Sequence, residues 1–255
     1  MFEEIFQNVP AVDLIRSLPR VCRYWYQLLT DRMFWFRKLK REGFKVSEIT
    51  ERRLAEEMDD GKVLRILQGI TGGFLPFNSN LIRNPSGEDE FQHWRVKHGG
   101  NDLIVECPPV GSDSIPEEAG LPTQHCFVSS YVSCYRSQTI MLKGLGIEPW
   151  MLDILRPEIK VSEWVSARFD CHSKSQTSVE LVTGTTGSTV HNMVWSSKHD
   201  GVILCRWYQM KMDIPYDTIP SSLTAIKFTN KSSDSQFWAG HYGAKTAGSS
   251  VILQL

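Results

Sequence analysis

The sequence predicts an α+β multidomain protein, with a small helical module at the amino terminus followed by an antiparallel β-sandwich. Three observations carry that prediction. Apolar residues recur at helical spacing as far as Gln68, the register changes at Gly72-Gly73, and beyond that point short β-type runs alternate with clusters of Gly, Pro, Asn and Ser.

Phe2, Ile5, Phe6 and Val9 follow the i, i+3, i+4, i+7 spacing of an amphipathic helix, and Pro10 ends it. Leu14, Ile15 and Leu18 suggest a short second helix stopped near Pro19. Val21, Trp25, Leu28 and Leu29 repeat the stripe, and Asp31 is placed to cap a further helix carrying Trp35 and Leu39, which Gly43 stops. A more polar helix is expected over 48–58, with Glu48 and Arg52 paired at i, i+4, and a connecting helix over 62–68. Strands are expected over 94–97, 103–107, 126–131, 139–142, 159–167, 178–182, 202–212, 223–228 and 251–255. Turn clusters such as residues 98–102 and 183–187 divide them, and only 149–155 reads as helix in this half. Many short strands at such intervals indicate a sandwich.

Composition narrows the function. The 255 residues carry a formal net charge of −1, with 41% hydrophobic and 22% charged residues, which fits an ordinary globular protein. No long basic stretch exists to neutralise phosphates, so nucleic acid is not the expected partner. No run reaches the roughly 20 apolar residues that cross a bilayer, so no membrane insertion is expected. The acidic start Met1-Phe2-Glu3-Glu4 is unlike a secretory signal, and a cytoplasmic protein is expected. Six cysteines without a Cys-x-x-Cys pair read as reduced small apolar residues, with no metal site. Gly-x-Ser-x-Gly, phosphate-cradling glycine loops and His-Glu-x-x-His are all absent. The seven histidines are scattered one per loop or strand, so no catalytic residue, enzyme activity or cofactor is expected.

The residues Phe2, Ile5, Val9-Pro10, Leu14, Val21-Cys22, Trp25 and Trp35, followed by Lys40-Arg41-Glu42-Gly43-Phe44, resemble an F-box. That is the three-helix module through which substrate receptors attach to the Skp-type adaptor of a cullin-RING ubiquitin ligase. The resemblance implies the adaptor and cullin as partners, and docking through Ile5, Val9, Pro10, Leu14, Val21, Cys22, Trp25 and Trp35. The Leu-Pro that normally opens the motif is absent, as if the sequence starts inside the first helix. Further on, Arg83-Asn84-Pro85-Ser86-Gly87-Glu88-Asp89, His98-Gly99-Gly100 and Phe237-Trp238-Ala239-Gly240-His241-Tyr242-Gly243-Ala244 look like the F-box-associated domain of the sugar-recognising F-box proteins. This resemblance implies a galactose-binding-like β-sandwich of jelly-roll type that grips the chitobiose of high-mannose N-glycans on misfolded glycoproteins. The expected division is an F-box over 1–45, a helical linker over 46–77 and the sandwich over 78–255.

Sugar recognition needs an aromatic face against the C–H side of the ring, plus fixed donors and acceptors for its hydroxyls. By motif match the family's aromatic-tryptophan pair falls on Phe237 and Trp238, its loop aromatic on Tyr131 and its acidic residue on Asp170. Each also has a purely structural reading: Trp238 packs the sandwich rim, Tyr131 is a buried strand residue, and Asp170 caps a turn. Ala239 stands where sugar-binding relatives place a lysine, His241 where a second tryptophan is common, and Phe237 replaces a tyrosine. Losing the ammonium donor costs about 1 kcal/mol, several-fold in affinity. The cargo is therefore either a high-mannose N-glycoprotein or another protein surface, and a cytosolic lectin-like protein without a ligase role is the third reading.

Overall fold

The computed structural model describes residues 2–184, 193–201 and 205–255, the stretch 193–201 by its backbone alone. Two compact units emerge: Met1–Ser79 with Leu142–Glu158 and Leu253–Leu255, and Asn80–Met141 with Ile159–Ile252.

The first unit is helical. Helices α1 (Phe2–Phe6), α2 (Ala11–Arg16), α3 (Arg23–Leu29) and α4 (Arg32–Arg41) come first, then α5 (Glu48–Glu56), α6 (Asp60–Thr71) and α7 (Pro149–Leu155). Phe6, Leu14, Leu29, Phe34, Trp35 and Leu39 are buried, so three of the large aromatics turn inward, and the Trp35 indole donates to the Leu29 carbonyl at 2.8 Å. Lys38, also buried, donates to the carbonyls of Gln7 (3.0 Å) and Val9 (2.7 Å) and pairs with Glu42, so it fixes the turn after α1. Asp31 caps α4 through the Met33 N–H at 2.8 Å, as the sequence predicts. Ser47 caps α5, and Asp59 caps α6. The expected Glu48–Arg52 pair does not form; Arg52 pairs with Glu56, one turn further on, at 2.8 Å. The geometry is still i, i+4, with the opposite order of charges. Helix α7 joins this unit through the Arg65–Glu148 ion pair (2.6 Å) and the Leu155 carbonyl, which accepts from Thr50 Oγ1 (3.4 Å).

The second unit is the β-sandwich. One sheet has the order β1-β4-β9-β6-β7 and the other β2-β3-β10-β5-β8. The first sheet comprises β1 (Arg95–Lys97), β4 (Cys134–Met141), β6 (Ser173–Thr183), β7 (Met193–Gly201) and β9 (Leu223–Asp234). The second comprises β2 (Ile104–Glu106), β3 (Cys126–Val128), β5 (Glu158–Ser166), β8 (Tyr208–Ile214) and β10 (Lys245–Gln254). Phe127, Val128, Val165, Val179, Leu181, Ile226, Phe228 and Val251 are buried among them.

A polar network is buried with that core. Arg136 of β4 and Glu163 of β5 are both at most 1% exposed and form an ion pair. The guanidinium also donates to Ser249 Oγ (3.1 Å) and Thr246 Oγ1 (2.7 Å) and stacks over Phe127 (4.2 Å) and Trp94 (4.6 Å). Glu163 further accepts from Thr177 Oγ1 (2.6 Å), Asn230 Nδ2 (2.8 Å) and Ser249 Oγ (2.7 Å). Burial shifts the Arg136 pKa downward, against the opposing pull of Glu163.

Several strands run further than expected. Strand β6 starts at Ser173, β4 at Cys134 and β10 at Lys245, while β9 continues to Asp234 and β7 is additional to the expected strands. Of the expected 202–212 strand, β8 covers the later part, and residues 202–204 lie outside the described set, as does the 185–187 part of the 183–187 turn. All six cysteines are free thiols, with Cys126, Cys134 and Cys171 buried but Cys22 and Cys107 exposed.

Candidate functional site

Three loops knit together at one end of the sandwich, and two of them carry the motifs at 98–100 and 237–244. Asn101 N–H donates to Ser130 Oγ (2.9 Å), Ser130 Oγ donates to the Gly240 carbonyl (2.7 Å), and the Gly240 N–H donates to Asn101 Oδ1 (2.8 Å). His241 Nε2 donates to the Asn101 carbonyl at 2.7 Å, so this histidine braces one loop against the next. Two glycines are needed for the approach. A Cβ on Gly100, whose φ is +63°, would lie 2.7 Å from Ser130 Oγ, and one on Gly243 would lie 2.3 Å from Ser129 Oγ.

This frame presents the aromatic residues. Asp234, at the end of β9 and only 4% exposed, accepts from the N–H groups of Phe237 (2.7 Å) and Trp238 (3.1 Å). Those two bonds hold Phe237 at a φ of +62°, an uncommon conformation for a side-chain-bearing residue, and push its ring outward. Phe237 is 73% exposed and meets half-buried Tyr131 edge to face, ring centroids 5.2 Å apart. Tyr131 sits in the loop after β3, not in a strand. Both rings line a groove of about 540 Å³ together with Lys174 and Gln176 of β6, Lys231 and Ser233 of β9, and Ser235.

Trp238 and Asp170 belong to a neighbouring cluster and do not line that groove. Trp238 meets Tyr242 edge to face at 5.7 Å, and the Arg168 guanidinium lies 4.7 Å over the same Tyr242 ring. Arg168 in turn grips both oxygens of Asp170 (2.9 and 3.2 Å). That hydrogen bonding holds the Asp170 carboxyl below its usual range and raises the Arg168 pKa. The structure thus brings Tyr131 to Phe237, and Asp170 to Trp238 by way of Arg168 and Tyr242. Ala239 is exposed and offers no side-chain donor. Lys174 and Lys231 escape sequence reading, although each sits at an outward position of an alternating Ser-rich run.

At the other end of the chain, the residues expected to dock divide by burial. Ile5, Pro10, Val21 and Cys22 are exposed, and Val9 and Trp25 are half-buried. Leu14 and Trp35 are 0% exposed; they are the core of the module and are unavailable to a partner, because a helical unit this small needs its largest side chains inside. The open apolar surface instead includes Phe2 and Tyr24, whose rings lie 6.1 Å apart, with Trp25 6.2 Å from Phe2. Among the described residues no group of three His, Cys, Asp or Glu side chains could hold a metal ion, and no helix is long and apolar enough to cross a membrane.

A family model described as the F-box associated region matches residues 74–253. The chain belongs to that family. An F-box domain model matches residues 1–37, so both halves of the resemblance hold and the F-box leads into the F-box-associated sandwich. F-box only protein 6 of Rattus norvegicus is 31% identical over 98% of this chain and 83% of its own length. F-box only protein 44 of Homo sapiens is 29% identical over 98% of this chain and 92% of its own. F-box only protein 27 of Mus musculus is 30% identical, covering 98% and 87% respectively. Among solved structures, a carbohydrate-binding module in complex with β-1,4-galactotriose aligns with a TM-score of 0.42 and 15% identity over 69% of this chain and 100% of that one.

Proposed function

We propose that this F-box protein is a non-catalytic substrate receptor of a cytosolic Skp-cullin-F-box ubiquitin ligase, recognising glycoproteins through the chitobiose of high-mannose N-glycans for ubiquitination and endoplasmic-reticulum-associated degradation. The observation that carries the cargo reading is the Tyr131–Phe237 pair, held at the mouth of a polar groove by Asp234. A pyranose laid on the exposed Phe237 ring puts its hydroxyls within reach of serine, amide and ammonium groups. The exposed Phe2–Tyr24–Trp25 face, with Ile5 and Val21, supports docking to the adaptor, since contiguous apolar surface of this kind is what a partner covers. Such a receptor acts by proximity, holding cargo beside the charged ubiquitin-conjugating enzyme, and needs no reactive residue of its own.

The test is a glycan array probed with the full chain, together with co-purification of the adaptor. Retention of chitobiose-containing glycans is expected; no binding at millimolar concentration overturns the glycan reading. Ala239, which leaves the aromatic loop without an ammonium, favours the second reading, a non-glycosylated protein target on the same scaffold. Glycan binding without co-purification of the adaptor leaves a lectin-like protein with no ligase role.

A further inference from the structure

We infer that the groove beside Tyr131 and Phe237 takes an oxyanion carried on the saccharide, a phosphate, sulfate or carboxylate group, between the ammonium groups of Lys174 and Lys231. The inference rests on the glycan reading above and specifies the class of glycan. Strands β6 and β9 pair with Gln176 opposite Lys231 and Lys174 opposite Ser233, which makes the two lysines diagonal neighbours on one face. Diagonal positions on an antiparallel pair stand about 7–8 Å apart, a span that two lysine side chains close around one anion. Both lysines line the groove and both are exposed.

The surrounding charge favours an anion. One strand over, the ammonium groups of Lys231 and Lys97 lie 5.4 and 5.7 Å from the centroid of the Tyr135 ring, so Lys97 adds a cation on the same sheet outside the groove lining, and Lys231 swings from Tyr135 on its flexible stem to share an anion with Lys174. Arg95, in register with Ser137, adds another on the exposed side of β1. Negative charge nearby is already engaged. Asp234 lines the groove as well, its oxygens accepting from two backbone N–H groups at 4% exposure, and Glu180 is paired with Lys227 at 2.9 Å. On β7, Lys198 and Asp200 stand in register with Gln176 and Lys174. Among the described residues neither Lys174 nor Lys231 forms an ion pair. Gln176, Ser233 and Ser235 add neutral hydrogen-bonding groups to the lining. The same groove is bordered by Tyr131 and Phe237, and two aromatic faces beside two cations suit an acidic saccharide better than an acidic peptide.

The test uses the full chain against matched oligosaccharides. The pairs are a phosphorylated high-mannose oligosaccharide and its phosphatase-treated form, a sulfated glycan and its sulfatase-treated form, and a sialylated glycan and its sialidase-treated form. The charged member of at least one pair should bind about tenfold tighter, and which pair responds identifies the oxyanion. The advantage should shrink toward parity in 0.5 M salt, because both lysines are open to solvent. K174Q/K231Q should bring the two members of the responding pair to parity, while F237A should weaken both members alike. Equal binding within every pair, with the neutral forms still bound, overturns this inference and spares the glycan reading. Failure of every glycan to bind overturns both. A polyglutamate peptide binding as tightly as the charged glycans overturns the assignment to saccharide.

Discussion

Glu163→Gln tests how the sandwich holds its recognition face. Glu163 and Arg136 lie at 0% and 1% exposure, so no water replaces a lost partner. The carboxylate accepts from Arg136 and Ser249 on one oxygen and from Thr177 and Asn230 on the other. A glutamine keeps the shape but removes the charge and turns an NH2 group toward donors on one side. Thr177 can rotate its hydroxyl to accept, whereas the Asn230 amide nitrogen cannot. Removing one partner from a buried ion pair costs about 3–5 kcal/mol, since the remaining charge stays buried and uncompensated. Taking about 4 kcal/mol against a typical total of about 5–15 kcal/mol, the variant should lose roughly 12 °C in Tm, at about 2–4 °C per kcal/mol for a chain of this size. Thermal unfolding followed by near-ultraviolet circular dichroism measures it, and the double variant R136M/E163L should recover part of the loss, because it leaves no orphan charge although Thr177, Asn230, Thr246 and Ser249 lose their bonds to the pair. A fall of less than about 3 °C in the single variant, or a double variant worse than the single, would refute the reasoning. The outward neighbours of Arg136 and Asn230 in β4 and β9 are Tyr135 and Lys231, so the same variant should also weaken glycan binding.

Four further outcomes are expected. Phe237→Ala should leave Tm unchanged, the ring being 73% exposed, and weaken glycan retention about tenfold on an immobilised-glycan assay. Ala239→Lys restores an ammonium to the loop and should tighten neutral glycan binding several-fold, about 1 kcal/mol, in the same assay. Tyr24→Ala combined with Val21→Ser should reduce co-purification of the adaptor with little change in Tm, whereas Leu14→Ala should lower stability by about 2–5 kcal/mol because Leu14 is core. Burial pushes the Cys126 thiol up to about 12 from 9.0, so the folded chain keeps a proton that the unfolded chain releases between those values. That contribution is present in full below pH 9 and is lost as pH rises toward 12, so stability should decline across that window, and Cys126→Ala should flatten the decline in pH-dependent denaturant melts.

The helices were legible because local chemistry decides them. Asp31 caps where the spacing puts it, and Pro149 and Leu155 bound the helix read from the sequence. The sandwich was legible in kind, yet β6 and β9 ran longer than read, and for one physical reason. Their inward positions include Ser173, Ser175, Thr177, Asn230, Ser232 and Asp234, all buried and all polar; Thr177 and Asn230 bond Glu163, Ser175 accepts from Asn230, and Asp234 ties down the Phe237 loop. An alternation of polar with polar carries no hydrophobic signal, so a strand built around a buried carboxylate reads as a loop. Asn230-Lys231-Ser232 shows the same inversion: it matches a glycosylation acceptor in sequence, whereas in the fold its amide is 1% exposed and bonded to Glu163. Leu14 and Trp35 were misplaced for the opposite reason, since a motif match does not say which of its apolar residues a small module keeps for itself.

That inversion bears on the site itself. Motif matching looks for the cation in the loop that carries Phe237 and Trp238, and finds Ala239 there. The cations of this site stand instead on strands, at Lys174 and Lys231, on the outward side of the residues that hide β6 and β9 from a hydrophobicity reading. A cation on a strand is held in register by ladder hydrogen bonds on both sides, while one at a loop tip moves with the loop. Moving the charge from loop to sheet therefore fixes the backbone anchor of the donor, while the lysine stem keeps its own freedom. A pair of ammonium groups anchored on neighbouring strands is expected to discriminate by where a ligand's charge sits, because a substituent beyond the reach of both stems misses both.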